Sequence, residues 1–365
     1  MNCWKIKKLQ ATNFRNLKNN IFEFASGINC ILGQNGNGKT NLLEAVFLIT
    51  NKKSFRKNTD YSQMINIEGE SPELIIQSAF TDGETLSSYS LRMTDSLQER
   101  FLNNRPEKKT PSSSVFINPF DSYNFHTSST FRRQWLDTHI SLMDKEYRQV
   151  LTRFQKAMKF RNSVLGFGGK SAALQLRAID EQVSEYSAII TAKRLEFLDN
   201  LNQFITPTFR AIFAEEHALE LTLDSIFAHW DKNRIFEYYR HQESTDLKAQ
   251  VTQVGIHRDD FIFHFDGLNA FEFCSLGQQK MAFLSLIFAY IELFRYKFTS
   301  YPIVLIDDVS GELDSQRWKN LIQYLETKSF QVLITTANEG FGKELEKIPE
   351  SKKFYIEHGK LKPHE

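Results

Sequence analysis

A chain of 365 residues can bury one large core or two ordinary ones, and 41% apolar with 24% charged residues describes a soluble globular protein. With 45 Lys and Arg against 44 Asp and Glu the net charge is +1, which excludes a globally basic nucleic-acid binder, so any such partner must meet a local patch. Cys3, Cys30 and Cys274 lie far apart in apolar stretches without metal-ligand spacing, and they read as buried free thiols rather than a disulfide framework or metal site.

The start, Met1 to Lys8, lacks the apolar run of a signal peptide, and no run of about 18 apolar residues occurs anywhere. The expectation is a cytoplasmic protein with no membrane span. Residues 3–24 alternate as half-buried strands do, with the polar bend Asn13-Phe-Arg-Asn16 between them. Ile28 to Leu32, interrupted by Asn29, predicts a strand that runs into Gly33-Gln34-Asn35-Gly36-Asn37-Gly38-Lys39-Thr40-Asn41 and then a helix to about Asn51. Gly-x4-Gly-Lys-Thr between strand and helix is a P-loop. Glycines let the backbone curl its N–H groups around phosphate oxygens, and the helix start adds unpaired N–H groups and a positive dipole end. Lys39 would then reach the β- and γ-phosphates of ATP, and the Thr40 hydroxyl would ligate Mg²⁺.

A basic segment, Lys52 to Lys57, follows. Leu74 to Phe80 and Leu86 to Met93 flank a hairpin turn at Thr81-Asp-Gly-Glu84, Arg105 to Ser114 reads as a loop, and Val115 to Ile117 as a short strand. From about Thr130 to about Tyr239 the period is helical: two long tracts, broken at Gly166-Phe-Gly-Gly169, should form an antiparallel hairpin, and a turn at Thr206-Pro207 leads to a third. Strands resume at Val251, with Phe261 to Phe265 and Ala270 to Phe273 as a hairpin about Asp266-Gly267. A helix from Gly277 to Tyr296, a doubly covered strand from Ile303 to Ile306, a helix from Gln316 to Glu326, a strand from Gln331 to Ile334 and a strand pair near Phe354 to Ile356 close the chain. The fold class expected is α/β: one lobe from residues 1–130 and 251–365, with a helical lobe, 131–250, inserted.

At the far end Ile303 to Ile306 leads into Asp307 and Asp308. At the carboxyl end of a sheet strand, Asp307 would hold Mg²⁺ against Thr40, and Asp308 would orient or deprotonate the attacking water. Ser275, at the N-cap of the helix beginning Leu276-Gly277-Gln278, offers a hydroxyl and a helix start to an anion. One subunit has no need of a second phosphate site; a second subunit does.

These segments resemble an ABC-type ATPase head of the SMC kind, and specifically the bacterial RecF family of DNA gap-repair proteins. The resemblance rests on Asn13-Phe-Arg-Asn16, the P-loop, Arg132-Arg-Gln-Trp-Leu-Asp137, Gly255-Ile-His-Arg-Asp-Asp260, Ser275 to Lys280, and Asp307 to Asp314. It implies an ATP-dependent homodimer with ATP between the P-loop of one subunit and Ser275 and Gly277 of the other, Gln278 in the same signature, and Asp314 at the seam. It implies Arg15 near the phosphates. It also implies a clamp on single-stranded and gapped double-stranded DNA that recombination mediator proteins use to load recombinase. The chain departs from the family at Phe120, before Asp121, at Leu276 within the signature, and at Thr335-Thr-Ala-Asn338, where no switch histidine stands; His257 reads as structural.

Candidate DNA contacts are Lys52, Lys53, Arg56 and Lys57; Arg105, Lys108 and Lys109; and Arg148, Lys156 and Lys159 on one helical face. Competing readings are the ATPase subunit of a transporter, which shares the P-loop and signature, and an SMC-like head in chromosome maintenance or defence.

Overall fold

The computed structural model describes residues 4–56, 59–66, 69, 71–118, 121–168, 172–213, 216–308, 315–340 and 348–362. Expectations resting on Cys3, Lys57, Phe120, Gly169 and residues 309–314, Asp314 included, lie outside these residues. The chain opens with β1 (Lys5–Thr12), β2 (Ile21–Glu23), β3 (Ile28–Leu32), α1 (Lys39–Asn51), α2 (Tyr61–Met64), β4 (Leu74–Thr81), β5 (Leu86–Met93), β6 (Gln98–Leu102), β7 (Arg105–Pro106) and β8 (Ser114–Ile117). Next come α3 (Asp121–Thr127), α4 (Ser129–Met143), α5 (Lys145–Phe167), α6 (Ala172–Phe213), β9 (Leu219–Asp224) and α7 (Lys232–Ala249). It ends with β10 (Asp260–Phe265), β11 (Leu268–Asn269), α8 (Ala270–Phe273), α9 (Leu276–Phe298), β12 (Ile303–Asp307), α10 (Ser315–Glu326), β13 (Val332–Thr336), β14 (Lys352–Glu357) and β15 (Lys360–Lys362).

These elements form two compact units, Met1–Asp121 with Ala211–Ala214 and Tyr290–Glu365, and Ser122–Arg210 with Glu215–Ala289. The second unit thus starts a few residues earlier than the sequence boundary at 130 and continues past 250 through β10, β11, α8 and the first half of α9.

The first unit holds two six-stranded sheets. One, ordered β2-β1-β4-β5-β6-β7, is antiparallel throughout; the other, β15-β14-β3-β13-β12-β8, is parallel except for β15. Parallel strands covered on both faces need continuous apolar runs, and β3 and β13 are buried at every position. Helix α1 is buried almost all round, and its Leu42, Leu43, Val46 and Ile49 share one core with Ile6 and Leu9 of β1, Ile31 of β3, Leu305 of β12, Leu333 of β13 and Phe354 of β14. Asn29, the polar interruption in β3, is paid for locally: its side chain accepts from the Ala25 N–H (2.8 Å) and donates to the Ala25 carbonyl (3.0 Å). Cys30 is a buried free thiol whose pKa burial pushes up to about 12, and Cys274 is free and half-buried.

In the second unit α5 and α6 run antiparallel. Asp144, just before α5, pairs with Lys193 midway along α6 (2.9 Å), while Arg161, late in α5, pairs with Asp180 early in α6 (2.7 Å). Arg161 also reaches Asp246 of α7 (2.6 Å), and Arg194 of α6 bridges Asp137 of α4 and Asp259 (2.8 Å each). Because Arg132 forks onto Asp260 (2.7 and 2.6 Å) and Arg133 donates to the Asp259 carbonyl (2.9 Å), the stretches 132–137 and 255–260 hold one another in place.

Several elements differ from the sequence reading. Helix α6 continues through Pro207 where a turn was expected, because Ile205, Phe209 and Ile212 are fully buried on one side and carry the helix past the missing N–H. Within the stretch read as helical, β9 pairs with β10. Residues Ala270–Phe273 form a helical turn capped by Asn269, so the hairpin at Asp266-Gly267 closes on the two-residue β11 instead. Finally, β6 adds a strand after β5, and the expected loop begins with β7.

Candidate nucleotide-binding site

The P-loop geometry follows from close approach. A Cβ at Gly33 would stand 2.3 Å from the carbonyl oxygen of Ile356 in β14, and one at Gly38, whose φ is 103°, would stand 2.8 Å from Asn16 Oδ1. Asn16, from the bend after β1, donates through Nδ2 to the Gly36 carbonyl (3.1 Å) and accepts from Asn41 Nδ2 (2.8 Å). On the opposite flank the β14–β15 turn grips Asn37: the Gly359 N–H donates to its carbonyl (3.0 Å) and the His358 N–H to its Oδ1 (3.3 Å). Helix α1 starts after Gly38 with no side-chain cap, which leaves its first N–H groups for an anion.

Four of the expected residues come together. Lys39, 6% exposed, donates from Nζ to the carbonyls of Gly33 (2.7 Å) and Gln34 (3.2 Å). Burial holds its pKa below the usual lysine range, against the opposing pull of the Asp308 and Asp307 carboxylates. Thr40 Oγ1 lies 3.0 and 2.9 Å from the two carboxylate oxygens of Asp307, across 267 residues of sequence. Asp308 follows at φ 48°, its N–H bonded to the carbonyl (3.2 Å) and hydroxyl (3.0 Å) of Thr335. Lys39, Thr40, Asp307 and Asp308 line a cavity of 410 Å³ with Asn35, Gly36, Gly38, Asn41 and Arg56. A hydroxyl and a carboxylate side by side are the hard oxygen donors a Mg²⁺ ion takes from a protein when phosphates and water fill its remaining positions. The donor set therefore fits the metal.

A second cavity, 580 Å³, shares Gly36, Asn41 and Arg56 with the first and is lined further by Arg15, Asn16, Lys18, Gln63, Ile65, Asn66 and His358. Arg15 lines this cavity and not the P-loop one. Its guanidinium forks onto Glu44 (3.1 and 2.8 Å) and donates to the Gln63 carbonyl (2.5 Å). Glu44 of α1 is 0% exposed and also binds Ser54 Oγ (2.6 Å) and Arg56 Nε (3.3 Å).

Ser275, Gly277 and Gln278 belong to the second unit. Ser275 and Gln278 form a capping box at the start of α9: the Ser275 N–H donates to Gln278 Oε1 (2.9 Å) and the Gln278 N–H to Ser275 Oγ (3.3 Å). Ser275, Leu276 and Gly277 are exposed, while Gln278 is half-buried. Asp121 opens α3 and lines neither cavity. His257 bonds through Nε2 to the Thr252 carbonyl (3.3 Å), and burial lowers its pKa, as suits a structural histidine. Sequence reading missed Thr335 and Glu44. Thr335 carried no signal beyond its place at a strand end, whereas Glu44 was a lone carboxylate among Leu42, Leu43, Ala45 and Val46, which a buried helix tolerates only with a partner.

Of the basic patches, Lys52, Lys53, Arg105, Lys108, Lys109, Arg148, Lys156 and Lys159 are exposed, and Arg56 instead lines both cavities. Among the described residues no helix is long and apolar enough to cross a membrane.

The RecF/RecN/SMC N-terminal domain model matches residues 5–355. The DNA replication and repair protein RecF of Streptococcus suis is 30% identical over 368 residues, covering 98% of this chain and 98% of its own. A solved structure of the recombination mediator protein RecF with ATPrS, in the RecFOR pathway, matches with a TM-score of 0.84 at 27% identity, over 99% of this chain and 98% of that one. The Smc head domain of Pyrococcus furiosus shares the fold alone, at a TM-score of 0.57 and 14% identity over 98% of this chain and 95% of that one. A P-loop ATPase head interrupted in sequence by a second unit, matched along almost its whole length by RecF proteins in sequence and fold, makes this chain a member of the RecF family.

Proposed function

We propose that this chain is an ATP-dependent DNA-binding protein of recombinational repair and replication, in which ATP joins two copies on DNA and hydrolysis releases them. The observation that carries the reading is the contact of Thr40 with Asp307 beside Lys39 and Asp308, which assembles a phosphate loop, a metal ligand pair and a water-orienting acid from opposite ends of the sequence. In this reading the backbone from Gly33 to Gly38 and the first turn of α1, with Gln34, Asn35, Asn37 and Asn41 flanking, cradle the phosphates, and Lys39 neutralises charge that builds on them. Thr40 and Asp307 would hold Mg²⁺, which would supply charge neutralisation to the phosphates. Asp308 orients the attacking water and accepts its proton. Ser275 and Gly277, exposed at the start of α9, meet the γ-phosphate bound by the other copy. Gapped and single-stranded DNA is held without sequence preference by exposed lysines and arginines such as Arg148, Lys156 and Lys159, and mediator proteins act on the marked site in the cytoplasm.

Sedimentation and fluorescent-nucleotide titration of the parent, Lys39→Ala and Asp308→Asn test this. The parent should pair when ATP is added. K39A should neither bind ATP nor pair, whereas D308N should bind ATP, remain paired and hydrolyse at least about 100-fold more slowly. If D308N saturated with ATP stays monomeric, the shared-nucleotide reading is wrong.

A further inference from the structure

We infer that Arg132 is a positioning residue for the nucleotide of the other copy: it holds Ser275 and the start of α9 where that copy's phosphates must meet them. This deepens the proposed function and rests on the reading that two copies share ATP.

Arg132 of α4 is 7% exposed and lines neither cavity, and its guanidinium joins three pieces of the second unit. Nε and Nη2 fork onto Asp260 Oδ1 (2.7 Å) and Oδ2 (2.6 Å) at the start of β10. Nη1 donates to the carbonyls of Phe125 (2.6 Å) and His126 (3.2 Å) near the end of α3. Cζ lies over the Phe271 ring of α8, 4.2 Å from its centre, while the rings of Phe125 and His126 meet Phe271 edge to face at 6.0 and 5.3 Å. Lysine would keep the charge but could neither fork onto Asp260 nor lay a planar group on the ring.

Ser275 stands four residues after Phe271, and the connection is tied at each step. The Phe271 N–H donates to Asn269 Oδ1 (3.0 Å), the Cys274 N–H to the Ala270 carbonyl (3.4 Å), and Gln279 Nε2 to the Cys274 carbonyl (3.1 Å). Phe273 and Leu276, on either side of Ser275, are 65% and 69% exposed, whereas Ala270 is fully buried. What anchors this stretch is therefore Ala270 and the clamped Phe271 ring behind it. A shift of that ring passes through α8 to the capping box of Ser275 and Gln278, and a phosphate contact displaced by about 1 Å loses on the order of 100-fold in rate.

Pairwise mixing of full-length Arg132→Lys, Phe271→Leu, Lys39→Ala and Ser275→Arg tests the inference. Diluted enough to stay single, R132K and F271L should bind ATP as the parent does, yet pair and hydrolyse about 10- to 100-fold less well. Mixed with K39A, each should regain ATPase, because the hybrid pair joins its own intact P-loop to the intact α9 start of K39A. Mixed with S275R, neither should recover, since both partners then lack the same half of the site. Should R132K melt early, F271L, which leaves the Asp260 fork in place, carries the test. Recovery with S275R in place of K39A would put Arg132 on its own copy's nucleotide and overturn the inference. Hydrolysis at the parent rate would overturn it too, as would recovery with neither while K39A and S275R complement each other. If K39A and S275R fail to complement, the shared-nucleotide reading itself falls.

Discussion

Thr335 occupies one position in β13 yet governs both acids of the candidate site. Its hydroxyl donates to Asp307 Oδ1 (2.6 Å) and accepts from the Asp308 N–H (3.0 Å), so one oxygen fixes a carboxylate and the backbone of its neighbour. Thr335→Val keeps the shape and removes both bonds. We expect T335V to lose a factor of about 3 to 30 in affinity for ATP with Mg²⁺, the worth of one or two ordinary hydrogen bonds, while metal-free ATP binds as before. Thr335→Ser should restore the parent value; equal losses with and without Mg²⁺ would show that Thr335 merely supports the sheet. Such residues are hard to read from sequence. The P-loop was legible because turn chemistry is local, packed into the run from Gly33 to Thr40, and Asp307 because a doubly buried strand ending in two acids is rare. Thr335 and the true orientation of Arg15 depend on partners that stand 27 or more residues away, where no periodicity points to them, and Glu44 shows only as a lone carboxylate whose partners Ser54, Arg56 and Arg15 the helical period does not indicate.

At the scale of elements, Glu292 on α9 ties its helix to the region around α10. Its carboxylate accepts from Lys328 Nζ (2.8 Å), Tyr324 (3.2 Å), Tyr301 (3.2 Å) and Arg295 (3.2 Å). Burial pushes this carboxyl up, but Lys328 and its other donors outweigh that and hold it below the usual glutamate range. A folded-state pKa below the unfolded one means that the unfolded chain takes up the proton first on acidification. The stabilisation is therefore complete above the ordinary glutamate pKa, about 4.3, and disappears as pH falls through the lower folded value. Glu292→Gln should be less stable at pH 7 in urea unfolding and should lose less of its remaining stability between pH 5 and the acid limit, about pH 3; parallel acid limbs for E292Q and the parent would contradict this. The same packing logic explains what was legible among the elements. The strands about Thr81-Asp-Gly-Glu84 are set by a turn and by alternation, both local. β9 also alternates, with Leu219 and Leu221 buried, but it lies between α6 and α7 and was absorbed into their period. Pro207 was misread because the local rule against proline in a helix yields to the buried side chains around it.

For the whole molecule, a net charge of +1 leaves DNA affinity to local lysines and arginines. Pairing two copies doubles every such patch. DNA binding in the presence of ATP should therefore weaken steeply with salt, by about 10³-fold or more between 50 and 200 mM if around six phosphates are met across the pair, and K39A should retain only the weak component. Replacing Arg148, Lys156 and Lys159 together by Gln should flatten the salt slope without altering ATP affinity. A slope that is shallow in the parent, or identical in the triple variant, would move the DNA surface elsewhere.

The bed on which the P-loop rests is built from the end of the chain: β14 flanks β3, Ile356 closes over Gly33, and the His358-Gly359 turn holds Asn37. During synthesis the loop is made some three hundred residues before its supports. A nascent chain stalled before β12 would carry the full motif and still be unable to hold a triphosphate, so the first nucleotide captured reports that translation has reached the final hairpin.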